Sequence, residues 1–537
     1  MRSDTRNAYA EPAFAVLGAA LLYFVRFGYD FGRSDQDEFL PYLLSRLHPG
    51  LLSHDWFVQT QTAGFNVRTY FVGLLEGLAS LMPVWLAVLL VYAVTWFMIA
   101  AAVYALANVL TGDRLAATAT VFLALVLTPQ WTLGGNDLVH RMLVPSMPAW
   151  GLGLWGTVAL LTRRTRRGAA LLGLATWMQA LVGLHLALLL GTVLLLRCLK
   201  ASERAEALHR LRRFAGFYVL FAAPALLPLL YDQLTATASP EPGTPSRFYI
   251  LAAFRAPHHY LPSSFSAHAA ERFGLLAAGG LLALAFPPVR KMLRHLPFVG
   301  LVLALIAVAC SLGLLFTEAW PVLLVTKLQL FKTTVLAKVL FLIILGAAGS
   351  LLLPTGLWKR ISGLLATPWP PLLALAGWTF LFVGLITQKE FVLARLHPLA
   401  HQEEALAQVE RWARTQTPEE AIFAVPPSID SFRAGARRGI VVNFKAYPFR
   451  DALMDEWYRR LTDLAPIRPP VRGGAAVLPH LDAAYEGLSA DELRRLAGTY
   501  GFTYVVRRTR LPWPHRGLAE VFRHGTWTVY RVLPDGP

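Results

Sequence analysis

Charged residues and cysteines are both scarce in this sequence. Of the 537 residues, 15% are Asp, Glu, Lys or Arg, whereas soluble proteins carry about 25%. The charges are also uneven, because they are sparse up to about Gln388 and dense after His401. The two cysteines, Cys198 and Cys310, lie in apolar segments without a CxxC or Cys/His pattern, so neither a disulfide nor a metal site is expected at them. The composition predicts a membrane protein with a water-soluble C-terminal region.

Acidic residues are outnumbered by basic ones, and the formal net charge is +17. The basic residues do not form one block of the kind that binds nucleic acid. They cluster in short gaps between apolar runs, at residues 163–167, 200–213, 290–294 and 359–360. Such clusters mark the cytoplasmic loops of membrane proteins, so no nucleic-acid partner is expected.

The apolar runs and the loop charges together predict about eleven transmembrane helices, with the N-terminus inside and the C-terminus outside. The first helix, residues 11–27, leads into a long acidic external loop, residues 28–68. Residues 70–81 then predict a helix that lies in the membrane interface. The Ala-, Leu- and Arg-rich composition and this topology suit a bacterial inner membrane.

One apolar stretch, residues 168–196, lies between two basic clusters. Both of its ends should therefore be inside, which a single straight helix does not allow. We predict two short helices that meet near Gly183 and His185, because glycine-interrupted spans are tolerated where they pack inside protein.

The C-terminal region has the alternating pattern of a small α/β domain. We predict a transmembrane domain over residues 1–388 and this second domain over residues 389–537. Strands are expected at residues 421–427, 439–444, 502–507 and 527–532, and helices at residues 403–415, 450–464 and 490–498. The region contains no GxGxxG or GxxxxGK motif, so no nucleotide site is expected.

The first external loop carries a crowded group of acids, Asp30, Asp35, Asp37 and Glu38, followed by His54 and Asp55. Carboxylates this close repel one another unless a metal ion, a cation or a proton lies between them. One of them could act as a general base that takes a proton from a hydroxyl or an amine. The alternative is a solvated loop whose acids have no function.

Two further external loops carry charged groups that could belong to a site. The second loop contains Asp137, for which a surface role is an equal alternative. The third contains Arg255, His258 and His259 beside aromatic residues. Adjacent histidines do not easily share one zinc ion and no third ligand follows at metal spacing, so anion binding at the membrane interface is the prediction.

The fourth external loop is basic, against the topological bias. Lys327 and Lys332 lie in it, and Lys338 lies within the next span, where it either faces inward or snorkels. A lipid-linked phosphate would explain cations on the outer side of the membrane. Snorkelling of helix-end lysines to ordinary headgroups is the alternative.

The chain resembles the GT-C class of membrane glycosyltransferases, which take sugar from a polyprenyl-phosphate carrier outside the cytoplasm. The resemblance rests on the first helix, the acidic SDQDEF (residues 34–39), the interfacial helix, the many spans and the outward C-terminal domain. RAPHHYLP (residues 255–262) and TPEEAIFAVPPSIDSFRAGARRGIVVNFK (residues 417–445) are also similar to stretches of uncharacterised bacterial members.

This resemblance implies an α-helical polytopic membrane protein with a GT-C-like fold and a small extracytoplasmic α/β domain. It implies that Asp37, or its neighbour Asp35, is the catalytic base, with Glu38 as a third acid in the same motif. It makes Asp137 a supporting acid or metal contact, and Asp55 is a second candidate for that role. The carrier phosphate would be bound by five basic residues, which are Arg255, His258, His259, Lys327 and Lys332.

The expected partners are a polyprenyl-phosphate-linked sugar, membrane lipid and an unidentified envelope acceptor. No cofactor is required by the motifs, and a divalent metal ion is left open. Two other functions compete with glycosyl transfer, namely transport of lipid-linked saccharides and a non-catalytic scaffold on the same fold. Transport pathways need charged groups inside the spans, and here the acids cluster in external loops.

Overall fold

The computed structural model describes residues 9–235, 243–386, 400–467, 473–511 and 517–534. These residues form two compact units, each built from three stretches of the chain. The first unit comprises Met1–Tyr29, Leu89–Leu227 and His258–His397, and the second comprises Asp30–Val88, Pro228–Pro257 and Pro398–Pro537. The predicted domain boundary at residues 388 and 389 lies outside the described residues.

The first unit is helical, and its helices are long and apolar. Three of its α-helices begin or end in the second unit. The described α-helices of this first unit are Ala10–Phe27, Val84–Thr111, Arg114–Phe122, Ser146–Leu161, Thr165–Met178, Ala180–Arg197, Arg204–Thr235, Pro257–Tyr260, Ala267–Ala285, Pro287–Met292, Leu296–Leu314, Leu323–Lys327, Thr334–Leu352, Thr355–Leu365 and Trp369–Ile386. Short π-helical turns extend two of them at Leu123–Leu127 and Leu315–Ala319. The predicted first helix is confirmed.

Within the described residues, six helices are long and apolar enough to cross a membrane, and a bent helix pair could form a seventh. This count is below the eleven that we predict, because several apolar runs form shorter helices. Ser146–Leu161, for example, has 16 residues, which at about 1.5 Å per residue is shorter than a bilayer core of about 30 Å.

The basic stretch at residues 200–213 is mostly helical rather than a loop. Its residues from Arg204 onward form the first turns of the helix Arg204–Thr235. Arg, Ala and Leu all have high helix propensity, so the helix continues through the charged residues.

The two short helices predicted between residues 168 and 196 are present, as Thr165–Met178 and Ala180–Arg197. They meet at Gln179, a few residues before the predicted position, where the backbone is extended (φ −152°, ψ 109°). The two helices come close together near this break, since a Cβ added to Gly183 would lie 2.4 Å from the backbone nitrogen of Thr176. The glycine thus allows the close approach of the two helices.

The second unit contains a five-stranded sheet. Its strands are β1 (Ile422–Ala424), β2 (Gly439–Ile440), β3 (Tyr504–Arg507), β4 (Leu518–His524) and β5 (Trp527–Val532), in the order β2-β1-β3-β5-β4. β1 is parallel to β2 and β3, while β5 is antiparallel to β3 and β4. Four of these strands were predicted, but the second is shorter than expected and β4 was missed.

Eight further α-helices lie in the described part of this unit. They are Leu40–Leu47, Trp56–Thr62, Thr69–Ala79, Ala400–Gln416, Phe432–Ala436, Asp451–Leu464, Leu478–Glu486 and Ala490–Tyr500. The core is apolar, with Val409 and Ala413 of one helix packed against Phe423, Phe432 and Val529. Three of the eight helices confirm those predicted at residues 403–415, 450–464 and 490–498.

Candidate functional site

Three acids of the first loop, Asp35, Asp37 and Glu38, lie on a short 3₁₀ helix, Ser34–Glu38. Such a turn points successive side chains in different directions. The side chain of Asp35 is 45% exposed, whereas Asp37 is fully buried. The acids therefore do not share one environment, and each has a different cationic partner.

Asp37 belongs to a buried group in which one arginine contacts two carboxylates. Arg433 donates from Nη1 to Asp37 Oδ2 (3.1 Å) and from Nε to Asp55 Oδ2 (2.7 Å). The three side chains are at most 1% exposed, and the guanidinium lies over the ring of Phe57 at 5.2 Å. One buried cation thus faces two buried acids, which leaves the group one positive charge short of neutrality when both acids are ionised.

Asn443 completes this group. Its amide nitrogen donates to Asp37 Oδ2 (2.7 Å) and to the carbonyl of Ile429 (2.8 Å). The backbone of Asn443 is held by the indole of Trp457, whose Nε1 donates to the backbone carbonyl of Asn443 (3.1 Å). The orientation of Asp37 is therefore set by two residues of the C-terminal region.

The other oxygen of Asp37, Oδ1, is buried and has no hydrogen-bond partner within the described residues. Burial raises the pKa of Asp37 from 3.8 to about 7, although Arg433 and Asn443 act in the opposite direction. The carboxylates of Asp430 and Asp55 raise this pKa further. Asp37 can therefore hold a proton near neutral pH, which would bring the buried group to neutrality.

Asp55 has a structural role at the start of a helix. Its Oδ1 accepts from the backbone nitrogen of Val58 (3.0 Å) and so caps Trp56–Thr62. Its Oδ2 accepts from Arg433 and from the backbone nitrogen of Ile440 (2.9 Å). All of these contacts are internal to the second unit, so they hold the first loop against the edge strand β2.

The remaining two acids of SDQDEF are paired with other cations. Asp35 forms an ion pair with Lys445, and Glu38 forms one with Arg68. Arg255 Nη2 lies 3.7 Å from Glu38 and donates to the carbonyl of Lys445 (2.6 Å). Cations thus relieve the repulsion among these carboxylates.

The second acidic loop is anchored in a different way. Lys338 Nζ donates to Asp137 Oδ1 (2.8 Å), and the two side chains are 0% and 5% exposed. Asp137 also accepts from the backbone nitrogens of Gln130 and Leu138 (2.6 and 2.8 Å). Lys338 therefore faces inward rather than snorkelling.

The predicted phosphate-binding residues are divided between the two units. Arg255 belongs to the second unit, while His258, His259, Lys327 and Lys332 belong to the first. His259 Nδ1 is hydrogen-bonded to the carbonyl of Gly134 (2.6 Å), and its ring lies 4.1 Å from that of His258. Lys332 is buried, whereas Lys327 is partly exposed.

Three residues of this site were not assigned a role from the sequence, namely Arg433, Asn443 and Lys445. They lie within the segment 417–445 that carries part of the resemblance. A single chain offers no local signal that pairs them with acids about 400 residues earlier.

Within the described residues, no group of three or more His, Cys, Asp or Glu side chains is arranged to hold a metal ion. The three acids of SDQDEF, the obvious candidates, are each paired with Lys or Arg.

The fold is that of a polytopic α-helical membrane protein of the GT-C-like class, with a small C-terminal region that contains a few strands. A solved structure, the crystal structure of ArnT from Cupriavidus metallidurans in the apo state, is similar with a TM-score of 0.51 at 16% sequence identity. The similarity covers 97% of this chain and 97% of that one.

A family model described as a domain of unknown function, DUF6798, matches residues 404–464. This segment contains Arg433, Asn443 and Lys445, which are the C-terminal partners of the first-loop acids. No curated protein matches the chain.

Proposed function

We propose that this protein is a membrane glycosyltransferase that moves a sugar from a polyprenyl-phosphate donor to an acceptor of the cell envelope. The observation that carries this proposal is the similarity over 97% of the chain to ArnT, a glycosyltransferase of the GT-C class. The acidic loop that the second unit holds beside basic residues is consistent with it.

Asp35 is the better of the two candidate bases. A general base must reach the proton that it removes, and the Asp35 side chain is 45% exposed while Asp37 is fully buried. Lys445 is its ion-pair partner. Asp37 would then be a structural residue that holds the loop in place.

The proposed reaction is a single displacement at the anomeric carbon. Asp35 takes the proton of the acceptor hydroxyl, whose oxygen forms the new bond to carbon one. The bond between carbon one and the phosphate oxygen breaks, and polyprenyl phosphate leaves with the electron pair. Basic residues would stabilise its negative charge, and Arg255, His258, His259, Lys327 and Lys332 are the candidates.

The cellular setting of this reaction is part of the proposal. The basic clusters support an N-terminus in the cytoplasm and a C-terminal region outside the bacterial inner membrane. The donor would then be used on the extracytoplasmic side, where a polyprenyl carrier can present its sugar to an envelope acceptor.

The test uses the full-length protein in liposomes with a panel of labelled polyprenyl-phosphate sugars. We expect the wild-type protein to release free polyprenyl phosphate, and Asp35→Asn to be slower by about 100-fold or more, which is the typical contribution of a general base. Asp37→Asn keeps the size of the side chain and should retain most of the turnover per folded molecule.

The outcomes separate the alternatives. Loss of turnover in Asp37→Asn with full activity in Asp35→Asn would assign the base to Asp37. Carrier binding without release of polyprenyl phosphate by any of the three proteins would contradict the enzyme and favour transport or a scaffold.

A further inference from the structure

A basic cleft lies in the second unit beside residues that the proposed reaction does not use. It has a volume of about 440 Å³ and is lined by Arg414, Arg437, Arg438 and His48, with Glu419 as the one acid among its lining residues. The lining therefore carries an excess of positive charge.

The charges of this cleft are not neutralised by ion pairs. Arg414 and Arg437 are exposed, and no ion pair to either of them occurs in the described part of the chain. Arg438 is buried, and its guanidinium donates to the Thr417 hydroxyl and to the carbonyls of Arg414, Arg437 and Thr417. These acceptors are neutral, and the carboxylates of Glu419 and Glu420 act on Arg438 only through space. Because three arginines outnumber the one acid of the lining, the cleft favours an anion.

A second cleft, of about 580 Å³, shares His48 and Arg437 with the first one. Its other walls are mostly apolar. They include Leu40, Leu44 and Leu47 from one helix. An apolar cleft and a basic cleft with common residues suit a ligand that has both an apolar part and an anionic part.

The apolar cleft is also lined by Val84 and Trp85. These residues begin Val84–Thr111, one of the helices that are long and apolar enough to cross a membrane. Trp85 is 54% exposed and the neighbouring Leu81 is 80% exposed. Exposed Trp and Leu at the end of a transmembrane helix are typical of the membrane interface, so a bilayer lipid has access to the cleft.

We propose that the two clefts together bind an anionic phospholipid of the surrounding membrane. The phosphate would contact Arg437, Arg414 and His48, and an acyl chain would lie along Leu40, Leu44 and Trp85. Free phosphate would use only the basic cleft, so the apolar walls favour a lipid. The site shares no lining residue with the Asp35 pair and does not depend on glycosyl transfer.

The test is a titration of the full-length protein in neutral detergent with dioleoyl phosphatidylglycerol, followed by native mass spectrometry. We expect Arg414→Gln/Arg437→Gln to bind this lipid about 25-fold more weakly, because each arginine near an anionic lipid contributes about a factor of five. Phosphatidylcholine should bind weakly and equally to both proteins. Arg411→Gln, an exposed change on the same helix as Arg414, should bind as the wild type does.

Three results would overturn the proposal. One is equal affinity for phosphatidylglycerol in the double variant and the wild type, with both proteins folded by thermal unfolding. Another is competition by inorganic phosphate as strong as that by the lipid, which would assign the basic cleft to free anions. The third is displacement of phosphatidylglycerol by polyprenyl phosphate with a parallel loss of turnover in the double variant, which would make the clefts a donor site.

Discussion

Among the described residues, Arg433 is the only cation that contacts both Asp37 and Asp55, and its replacement by methionine removes that cation. Asp55 keeps its hydrogen bonds from Val58 and Ile440, and Asp37 keeps the one from Asn443. Both carboxylates stay buried without a positive partner. Removing one partner of a buried ion pair costs about 3–5 kcal/mol, and we expect a loss of that size in the local stability of this unit.

Hydrogen–deuterium exchange measures this loss where it occurs. The backbone nitrogen of Ile440 donates to Asp55, and that of Val441 donates to the carbonyl of Phe423. Exchange of these amides should accelerate by about 100-fold to 1,000-fold or more in Arg433→Met, since each 1.4 kcal/mol is a factor of ten in the opening equilibrium. Arg459→Met, an exposed change in the same unit, should leave their exchange unaltered.

A second variant and the pH dependence test the electrostatic cause. Arg433 lowers the pKa of Asp37, so without it Asp37 is ionised only at alkaline pH. There, adding Asp37→Asn to Arg433→Met removes one unpaired charge, so part of the protection should return. The pKa of Asp37 is about 7 in the folded chain, against 3.8 for an exposed carboxyl in the unfolded chain. Its contribution to stability is therefore present below about pH 4 and is lost as the pH rises through 7, by about 4 kcal/mol. The wild type should lose stability relative to the single variant Asp37→Asn over that range.

The reasoning would be refuted by wild-type protection of Ile440 and Val441 in Arg433→Met. It would also be refuted by a pH dependence that is the same with and without Asp37. Either result would mean that the buried group does not hold the first loop against the sheet.

Two further predictions concern the first unit. Lys338→Met leaves Asp137 buried without its cation and should lower the thermal unfolding temperature. Combining it with Asp137→Asn should recover part of the loss. Equal unfolding temperatures for Lys338→Met and the wild type would show that this ion pair does not stabilise the protein. Gly183→Ala places a Cβ 2.4 Å from the backbone nitrogen of Thr176 and should destabilise the helix pair by about 1–3 kcal/mol. Gly216 has open space around it, so Gly216→Ala should not destabilise the protein. Equal unfolding temperatures for the two variants would show that the helices separate at little cost.

The helices and most strands could be predicted because their causes are local. The apolar run of the first helix and the amphipathic pattern of Ala400–Gln416 appear directly in the sequence. β4 was missed because it pairs with β5 alone and is largely exposed, so it lacks the alternation of a half-buried strand. The predicted second strand ends early at Ile440, and it pairs with only two residues of the short strand β1.

The sequence by itself determined that this is a polytopic membrane protein with a small α/β region and an acidic first loop, since hydropathy and charge act over a few turns of chain. Only the tertiary structure decided the exposure and the charged partner of each acid. Asp35 and Asp37 are two residues apart, yet one is half exposed beside Lys445 and the other is buried against Arg433. Their partners lie about 400 residues away. A carboxylate is ionised or protonated according to the charges and the solvent around it, and folding alone brings those charges together.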